Sequence, residues 1–318
     1  MKKQDITRRK ILQGGGAVLG MGLWGDSIGR IEAANTTKAK ANFRYCLNTS
    51  TIRGQNLSLV EEIETAAKGG YTGLEPWVHK VHDYANGGGS LKDIKKRLAD
   101  RGLTVESAID FASWIVDDDA RRAKGVEQMK RAMDVLAQIG GKRIAAPPAG
   151  ATRQPGLDLL KAAKRYRIIL EIGNEIGVTP QIEVWGSSKN LHRLGQSMFV
   201  AIESGHPKAC LLPDVYHIYK GGSDFHGLKL IGGRAVQVFH LNDYPLNPPR
   251  ETISDRDRVM PGDGVAPLTQ IIRDMVAMNP DMVLSLELFN PNYWKQDALE
   301  VAKIGLAKMK EAVAKAIG

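Results

Sequence analysis

Short apolar segments alternate along the chain with longer stretches in which apolar residues recur every three or four positions. Short segments of this kind are typical of buried β-strands, and the longer pattern is typical of amphipathic helices. Eight strands are predicted, at residues 44–47, 72–75, 104–108, 143–146, 181–184, 210–214, 236–241 and 283–288. Eight helices are predicted between and after them, the sixth short enough to be a single turn, at residues 57–68, 91–101, 120–139, 156–176, 191–204, 225–231, 267–278 and 297–317.

The regular alternation of strand and helix predicts an α/β protein with a parallel sheet. Eight strand–helix units of about 30 residues favour closure into a (β/α)8 TIM barrel over an open sheet. Predicted strands are preceded by glycines, which commonly end helices, at Gly70, Gly102, Gly141 and Gly177. No linker, repeat or low-complexity segment interrupts the pattern, so residues 42–318 are predicted to form one TIM-barrel domain.

The N-terminal segment has a different character. It reads Thr-Arg-Arg-Lys-Ile-Leu from Thr7, and a glycine-rich, moderately apolar stretch follows at residues 11–24. It resembles a twin-arginine export signal and is too short and interrupted to be a membrane span of about 20 apolar residues. We therefore expect residues 1–41 to be a signal peptide and flexible segment, recognised by the twin-arginine machinery, with a periplasmic destination and no stable membrane anchor. A basic disordered tail is the alternative.

Charge and cysteine content exclude some classes of function. The formal net charge is +9, and the first 34 residues carry six basic and three acidic side chains. The remaining positive charge is spread along the chain without a dense basic run or interleaved aromatic residues, so no nucleic-acid partner is expected. Cys46 and Cys210 both lie in apolar segments, which predicts buried free thiols and no disulfide framework.

Ionisable residues stand at the ends of four consecutive predicted strands. Active sites of (β/α)8 barrels form where the strands end, so these four residues are expected to converge on one point. They are Glu183, Asp214, His240 and Glu287. Singly, each is as well explained by a salt bridge or a buried polar contact, but together they form an oxygen-rich set that suits one divalent ion. Mn²⁺, Co²⁺ or Mg²⁺ is favoured and Zn²⁺ is the alternative.

The sequence around these residues resembles the sugar phosphate isomerase/epimerase superfamily, the xylose isomerase-like barrels. The resemblance runs from about Phe43 to the C-terminus and is carried by Glu-Val-Trp-Gly from Glu183, Asp-Val-Tyr-His from Asp214, His-Leu-Asn-Asp from His240 and Arg-Val-Met-Pro-Gly-Asp-Gly from Arg258. It implies that Glu183, Asp214, His240 and Glu287 bind the metal and that the two glutamates also act as the acid/base pair. It further implies that His217 contacts the substrate.

Other candidates for substrate binding lie outside this set. The long segment from Asn242 to Val265 contains Arg250, Arg256 and Arg258. We expect one of them to hold a substrate oxygen, with Arg258 favoured by its place before Pro-Gly-Asp-Gly; an exposed loop charge is the alternative. Glu75 ends the second predicted strand and is a further candidate. Aromatic residues that either wall a sugar pocket or pack in the core are Trp77, His79 and Trp114. No glycine-rich phosphate cradle is present.

These residues predict an enzyme that removes a proton next to a carbonyl of a sugar or keto-sugar. Isomerisation, epimerisation and elimination by a lyase or dehydratase all begin with that step, and the sequence leaves the choice open. An endonuclease-IV-like phosphodiesterase would need additional His and Asp ligands, and a noncatalytic sugar-binding barrel would tolerate the loss of the glutamates. The sugar, the metal and the oligomeric state, including a homo-oligomer, also stay open.

Overall fold

The structure is a computed structural model, and it describes residues 41–318. Eight short strands lie in the order that the apolar segments predict. Their bounds are β1 (Arg44–Asn48), β2 (Gly73–Glu75), β3 (Thr104–Val105), β4 (Arg143–Ala146), β5 (Thr179–Glu183), β6 (Leu211–Leu212), β7 (Val238–Leu241) and β8 (Val283–Leu286).

All strand pairs are parallel, in the orders β3-β2-β1-β8-β7 and β4-β5-β6. Contacts at two places, one between β6 and β7 and one between β3 and β4, join these sheets into a ring. A parallel bridge pairs Leu211 with Val236 between β6 and β7, and the Ala145 amide donates to the Ala108 carbonyl at 2.8 Å between β3 and β4. The predicted α/β class and (β/α)8 TIM barrel are therefore confirmed.

Ten α-helices surround the barrel within residues 41–318: α1 (Leu59–Gly69), α2 (Val78–Asn86), α3 (Leu91–Asp100), α4 (Asp119–Gln138), α5 (Leu159–Ile176), α6 (Leu194–Glu203), α7 (Val215–Gly221), α8 (Leu268–Met278), α9 (Pro291–Trp294) and α10 (Ala298–Ile317). The helix predicted at residues 225–231 is a 3-10 helix, Phe225–Leu230, in agreement with its shortness. The sequence patterns did not predict α2, α7, α9 or the 3-10 helix Thr49–Gln55.

The helices begin and end where side-chain chemistry permits. Side-chain oxygens accept the first free amides of seven α-helices, at Ser58, Ser90, Asp118, Asp158, Asp214, Asn290 and Asp297. Gly70 and Gly177 take left-handed φ values of 87° and 91° and end α1 and α5, as expected. After α4 the left-handed residue is Gly140, not Gly141, because the Gly141 amide bonds back to the Leu136 carbonyl at 2.8 Å.

The large apolar core lies between the helices and the outer face of the barrel. A smaller apolar cluster fills the barrel interior, with Trp77 packed against it, and consists of Cys46, Ile109, Ala145, Leu212, Val238 and Val283. Cys46 and Cys210 are buried free thiols, as predicted. This interior cluster lies between polar groups at the two ends of the strands.

Where the strands begin, the buried carboxylate of Glu106 forms ion pairs with two arginines. Its carboxylate lies 2.6 Å from Arg44 Nη1 and 3.4 Å from Arg143 Nη1. Arg143 also donates from Nε to Gln237 Oε1 at 2.7 Å. We call Arg44, Glu106 and Arg143 the N-terminal ion-pair cluster; its single carboxylate is paired with arginines of the protein.

The predicted signal peptide lies almost wholly outside the described residues, which begin at residue 41. Its assignment therefore stays a prediction. Within residues 41–318, none of the helices has the length and apolar character needed to cross a membrane.

Candidate active site

The opposite end of the barrel, where the strands end, holds three buried ionisable residues. Glu183 is the last residue of β5, His240 lies in β7, and Glu287 directly follows β8. One ligand atom from each lies within 4.8 Å of the others. We call Glu183, His240 and Glu287 the carboxylate–histidine cluster. The strand ends thus bring together three of the four residues predicted as metal ligands.

The cluster has the properties of a metal site. His240 Nδ1 lies 3.2 Å from Glu287 Oε2 but has no hydrogen-bond partner, although it is buried. Buried polar atoms are nearly always partnered, so an unpartnered imidazole nitrogen among carboxylates is the geometry expected of a metal-binding histidine. Nitrogen and oxygen donors without thiolates suit Mn²⁺, Co²⁺, Mg²⁺ or Zn²⁺.

Asp214, the fourth predicted ligand, borders the cluster. Its Oδ2 lies 3.8 Å from His240 Nδ1 and accepts hydrogen bonds from Asn242 Nδ2 at 2.8 Å and Arg258 Nη1 at 2.9 Å. Its Oδ1 accepts from the His217 amide at 2.8 Å and so begins α7. Asp214 thereby joins the cluster to the first turn of α7, and it is the predicted ligand with the most hydrogen bonds from protein groups.

Arg258 reaches the centre of the site and is fully buried, which excludes an exposed loop charge. Its Nη1 donates to Glu287 Oε2 at 2.8 Å as well as to Asp214. Its Nη2 donates to Asp255 Oδ1 at 2.5 Å and lies 3.0 Å from His217 Nε2. The guanidinium therefore connects one glutamate of the cluster to the histidine that the sequence pattern assigned to substrate binding.

Asp243 fixes the loop that carries Arg258. Its carboxylate accepts from the amides of Tyr244, Gly262, Gly264 and Ala266 at 2.8–3.1 Å. Its backbone pairs with Val259 in both directions, at 3.0 and 2.9 Å. The His-Leu-Asn-Asp and Arg-Val-Met-Pro-Gly-Asp-Gly motifs are thus two halves of one local structure, which places Arg258 beside β7.

The surroundings of the two glutamates separate their proton affinities. Burial and the nearby charge of Glu287 raise the pKa of Glu183 well above its ordinary value. Burial acts in the same direction on Glu287, but His240 and Arg258 outweigh it and hold the pKa of Glu287 well below its ordinary value. Burial and Arg258 together lower the pKa of His217. Two carboxyls with opposed preferences suit a pair that exchanges protons with a substrate.

A pocket of about 240 Å³ opens onto the cluster. Its wall contains Glu183, Glu287, His217, Asp255 and Arg258, together with apolar residues, Ile109, Phe111, Trp185 and Phe289. The rings of Phe111 and Trp185 lie 5.9 Å apart, and Trp77 lies 5.1 Å from Phe111. The pocket thus offers acidic and basic groups in its depth and aromatic faces on its walls.

Two residues proposed for substrate binding lie elsewhere. Trp114 is fully buried, donates from Nε1 to the Pro147 carbonyl at 2.9 Å and packs against Tyr166, so it belongs to the core and not to the pocket wall. Glu75 is also fully buried and lies behind His240, whose Nε2 is 3.1 Å from Glu75 Oε2. Neither side chain is in a position to contact a molecule in the pocket.

Several polar residues of the site were not predicted from the sequence. Asn48 ends β1 and donates from Nδ2 to Glu287 Oε1 at 3.0 Å, so the strand-end rule would have found it. Asn242 donates to Asp214 and accepts from the Tyr216 amide at 3.0 Å. Asp255 lies in a 3-10 helix, Asp255–Asp257, that no sequence pattern marked.

Comparison with known proteins finds isomerases, dehydratases and epimerases among the relatives of this chain. The chain is 24% identical over 279 residues to an inosose isomerase of Bacillus velezensis, covering 86% of this chain and 98% of that protein. It is 24% identical over 245 residues to a 3-dehydroshikimate dehydratase of Pseudomonas aeruginosa, covering 74% of this chain and 37% of that protein. Epimerases of Escherichia coli are also among the relatives.

A solved structure with the same fold is the IOLI protein with a bound zinc atom. It superposes with a TM-score of 0.78 at 22% identity and covers 86% of this chain and 99% of that one. The family described as xylose isomerase-like TIM barrel matches residues 63–312. The match spans most of the barrel and all of the residues that form the carboxylate–histidine cluster, and the chain belongs to the xylose isomerase-like TIM barrel family.

Proposed function

We propose that this protein is a metal-dependent sugar isomerase or epimerase that removes a proton next to a carbonyl through an enediolate. The observation that carries this proposal is the carboxylate–histidine cluster, in which two glutamates and an unpartnered imidazole nitrogen meet at the base of a pocket. The relatives support it, because isomerases, epimerases and dehydratases share proton abstraction beside a carbonyl.

Glu183, His240 and Glu287 would hold the ion, with Asp214 as the fourth ligand. In that position a divalent ion would supply electrophilic polarisation of the substrate carbonyl. Mn²⁺, Co²⁺ and Mg²⁺ suit the oxygen-rich ligands, and the zinc of the IOLI protein supports Zn²⁺ as the alternative.

The protein's own groups account for the proton transfers. Glu183 and Glu287 come from strands three positions apart around the barrel, so they approach a bound sugar from different sides. One carboxylate takes the carbon-bound proton and the other carboxyl returns a proton to the neighbouring carbon or to the opposite face. His217 and Arg258 hold substrate oxygens. Phe111 and Trp185 offer aromatic faces to the C–H surface of the sugar ring.

The second candidate is a lyase or dehydratase acting on a keto-sugar or 3-keto-glycoside. Elimination begins with the same proton abstraction, and one glutamate then protonates the oxygen that leaves from the β-carbon. The dehydratase of Pseudomonas aeruginosa favours this candidate. A phosphodiesterase of the endonuclease IV kind has less support, because residues 41–318 contain a single group of three residues able to hold a metal ion.

Solvent-deuterium exchange tests the function directly. Candidate keto-sugars, including an inosose, are incubated with the enzyme in D2O and followed by NMR, with and without a chelator. We expect metal-dependent loss of one C–H signal beside the carbonyl, accompanied by an isomer, an epimer or an eliminated product. A folded, metal-loaded enzyme that exchanges no substrate proton and forms no product across this panel would argue against both candidates.

We also propose that the twin-arginine machinery exports the protein to the periplasm. The support is the Arg8-Arg9 pair ahead of a weakly apolar segment. Replacing both arginines by lysine keeps the charge but removes the arginine pair. The precursor should therefore accumulate in the cytoplasm, while the folded enzyme keeps its properties. Cell fractionation measures the distribution, and unchanged periplasmic recovery of the double variant would contradict this route.

A further inference from the structure

Glu75 lies directly beneath the carboxylate–histidine cluster but cannot touch a ligand in the pocket. It is fully buried, and it is absent from the residues that line the pocket. Its only route to the chemistry passes through the side chains around it. A buried carboxylate next to a metal-binding histidine therefore needs an explanation other than substrate binding.

The two ring nitrogens of His240 face different surroundings. Nε2 lies 3.2 and 3.1 Å from Oε1 and Oε2 of Glu75. Nδ1 faces Glu287 and Asp214 and has no hydrogen-bond partner. The imidazole thus stands between a carboxylate on one side and an unpartnered ligand position on the other.

The other contacts of Glu75 fix which nitrogen carries the proton. Oε2 accepts from Ser285 Oγ at 2.6 Å and from Asn48 Nδ2 at 3.1 Å, so the carboxylate acts as an acceptor. A carboxylate that accepts from its neighbours also accepts from the imidazole, and His240 then donates from Nε2. The lone pair of the neutral ring is left on Nδ1, which points into the cluster.

We propose that Glu75 is a positioning residue that holds His240 in the Nε2–H tautomer and aims Nδ1 at the metal. Asn48 extends this effect, because the same amide nitrogen that donates to Glu75 also donates to Glu287 Oε1 at 3.0 Å. One hydrogen-bonded unit therefore orients the imidazole and one carboxylate of the cluster. This inference rests on the proposed metal-dependent function.

Glu75→Gln tests the inference, with Glu106→Gln as the matched control. Both glutamates are fully buried inside the barrel and both changes are isosteric, but Glu106 contacts Arg44 and Arg143 and not the metal ligands. The NH2 group of a glutamine at position 75 would face one of the groups that now donate to the Glu75 carboxylate, from His240, Ser285 or Asn48. That contact would no longer be a hydrogen bond of the same direction, and the tautomer of His240 would be disturbed. Partners of metal-binding histidines typically contribute about 10–100-fold to affinity, and we expect Glu75→Gln to weaken Co²⁺ binding by that factor.

The measurement is calorimetric titration of the metal-free enzymes with Co²⁺, together with the visible absorption spectrum of bound Co²⁺. Glu106→Gln should keep the wild-type affinity and spectrum, whereas Glu75→Gln should change both. If Glu75→Gln does not fold, Ser285→Ala removes one donor that fixes Glu75 and should still weaken Co²⁺ several-fold with an altered spectrum.

The two proposals fail in different ways. The positioning role alone would be overturned if Glu75→Gln bound Co²⁺ with the affinity and spectrum of the wild type. The same result in Ser285→Ala, where that variant replaces Glu75→Gln, would also overturn it. Equal weakening in Glu75→Gln and Glu106→Gln would also overturn it, since a general loss of stability would then be the cause. A folded wild-type enzyme that binds no Co²⁺ would overturn the metal site and this inference together.

Discussion

The two ends of the barrel both contain buried charges, but they arrange them differently. At the N-terminal ion-pair cluster, the Glu106 carboxylate is matched by Arg44 and Arg143. At the carboxylate–histidine cluster, one arginine serves several carboxylates, and His240 Nδ1 has no hydrogen-bond partner. Unmatched buried charge is costly unless a ligand completes it. We infer that the N-terminal ion-pair cluster contributes to stability and that the carboxylate–histidine cluster is arranged for chemistry.

The largest effect is expected from removing the basicity of the two glutamates. Glu183→Gln and Glu287→Gln keep the size of the side chain and one acceptor oxygen, so each variant should fold and retain some metal. Each should lose at least about 10²-fold in turnover, because proton transfer by a positioned carboxylate contributes that much or more. Steady-state rates and circular dichroism check the two parts of this prediction.

Isotope exchange then separates the roles of the two glutamates. If one variant still exchanges the substrate proton with D2O but forms no product, the glutamate replaced in it is the proton donor and its partner is the base. Near-normal turnover by both variants would contradict the mechanism even if the enzyme binds one metal ion.

The next largest effect concerns stability at the other end of the barrel. Glu106→Gln should lower the free energy of unfolding by about 1–3 kcal/mol, because the mostly buried Arg143 and the partly exposed Arg44 lose a charged partner. The turnover of the folded variant should match the wild type, since Glu106 does not contact the pocket residues. Urea unfolding and activity at low temperature measure the two quantities. A large loss of turnover with little loss of stability would reverse the roles assigned to the two ends.

A smaller effect is expected from Asp214→Asn. The variant keeps an oxygen for Asn242 and Arg258 but loses the charge next to His240, so it should bind Mn²⁺ about tenfold more weakly. Activity should recover partly at high metal concentration, which distinguishes this change from those of the glutamates. Rates measured across a Mn²⁺ titration test the prediction, and a loss of turnover that saturating metal does not restore would place Asp214 among the proton-transfer groups.

The smallest effect concerns Glu62, a buried carboxylate of α1 outside both clusters. Burial raises its pKa to about 7, and Lys80 at 3.5 Å offsets only part of that shift. The folded protein therefore holds this proton more tightly than the unfolded chain, so stability falls as the pH rises from about 4.5 through 7. Glu62→Gln should be more stable than the wild type by about 1–2 kcal/mol at pH 8, and by much less at pH 5. Thermal unfolding at both pH values measures this, and a pH-independent difference would show that Glu62 does not titrate in this range.

The sequence predicted most of the barrel because its strands are buried on both faces and appear as continuous apolar segments. It missed α2, α7 and α9, which are 9, 7 and 4 residues long and too short for a clear helical period. Two of these lie close after site residues, since α7 begins directly after Asp214 and α2 begins three residues after Glu75. Hydrophobic periodicity alone therefore does not detect the short helices that follow site residues.

The site was predictable where chemistry depends on strand position and not where it depends on side-chain direction. Glu183, His240 and Glu287 follow from the rule that strand ends converge. Glu75 obeys the same rule, but its hydrogen bonds with Asn48, Ser285 and His240 turn it away from the pocket. Arg258 is buried because Asp243 fixes its loop through contacts with Val259 and Gly262, which join residues 16 and 19 positions apart within an irregular segment.

The central claim is that the carboxylate–histidine cluster, at the end of the barrel where the strands end, is a site for one divalent ion. Elemental analysis of the purified, folded wild-type enzyme tests it most directly. We expect about one equivalent of a divalent transition metal or magnesium per chain, removed by a chelator and restored by Mn²⁺ or Co²⁺. A folded protein that contains no such ion, takes none up and performs its reaction unaffected by chelator would contradict the claim.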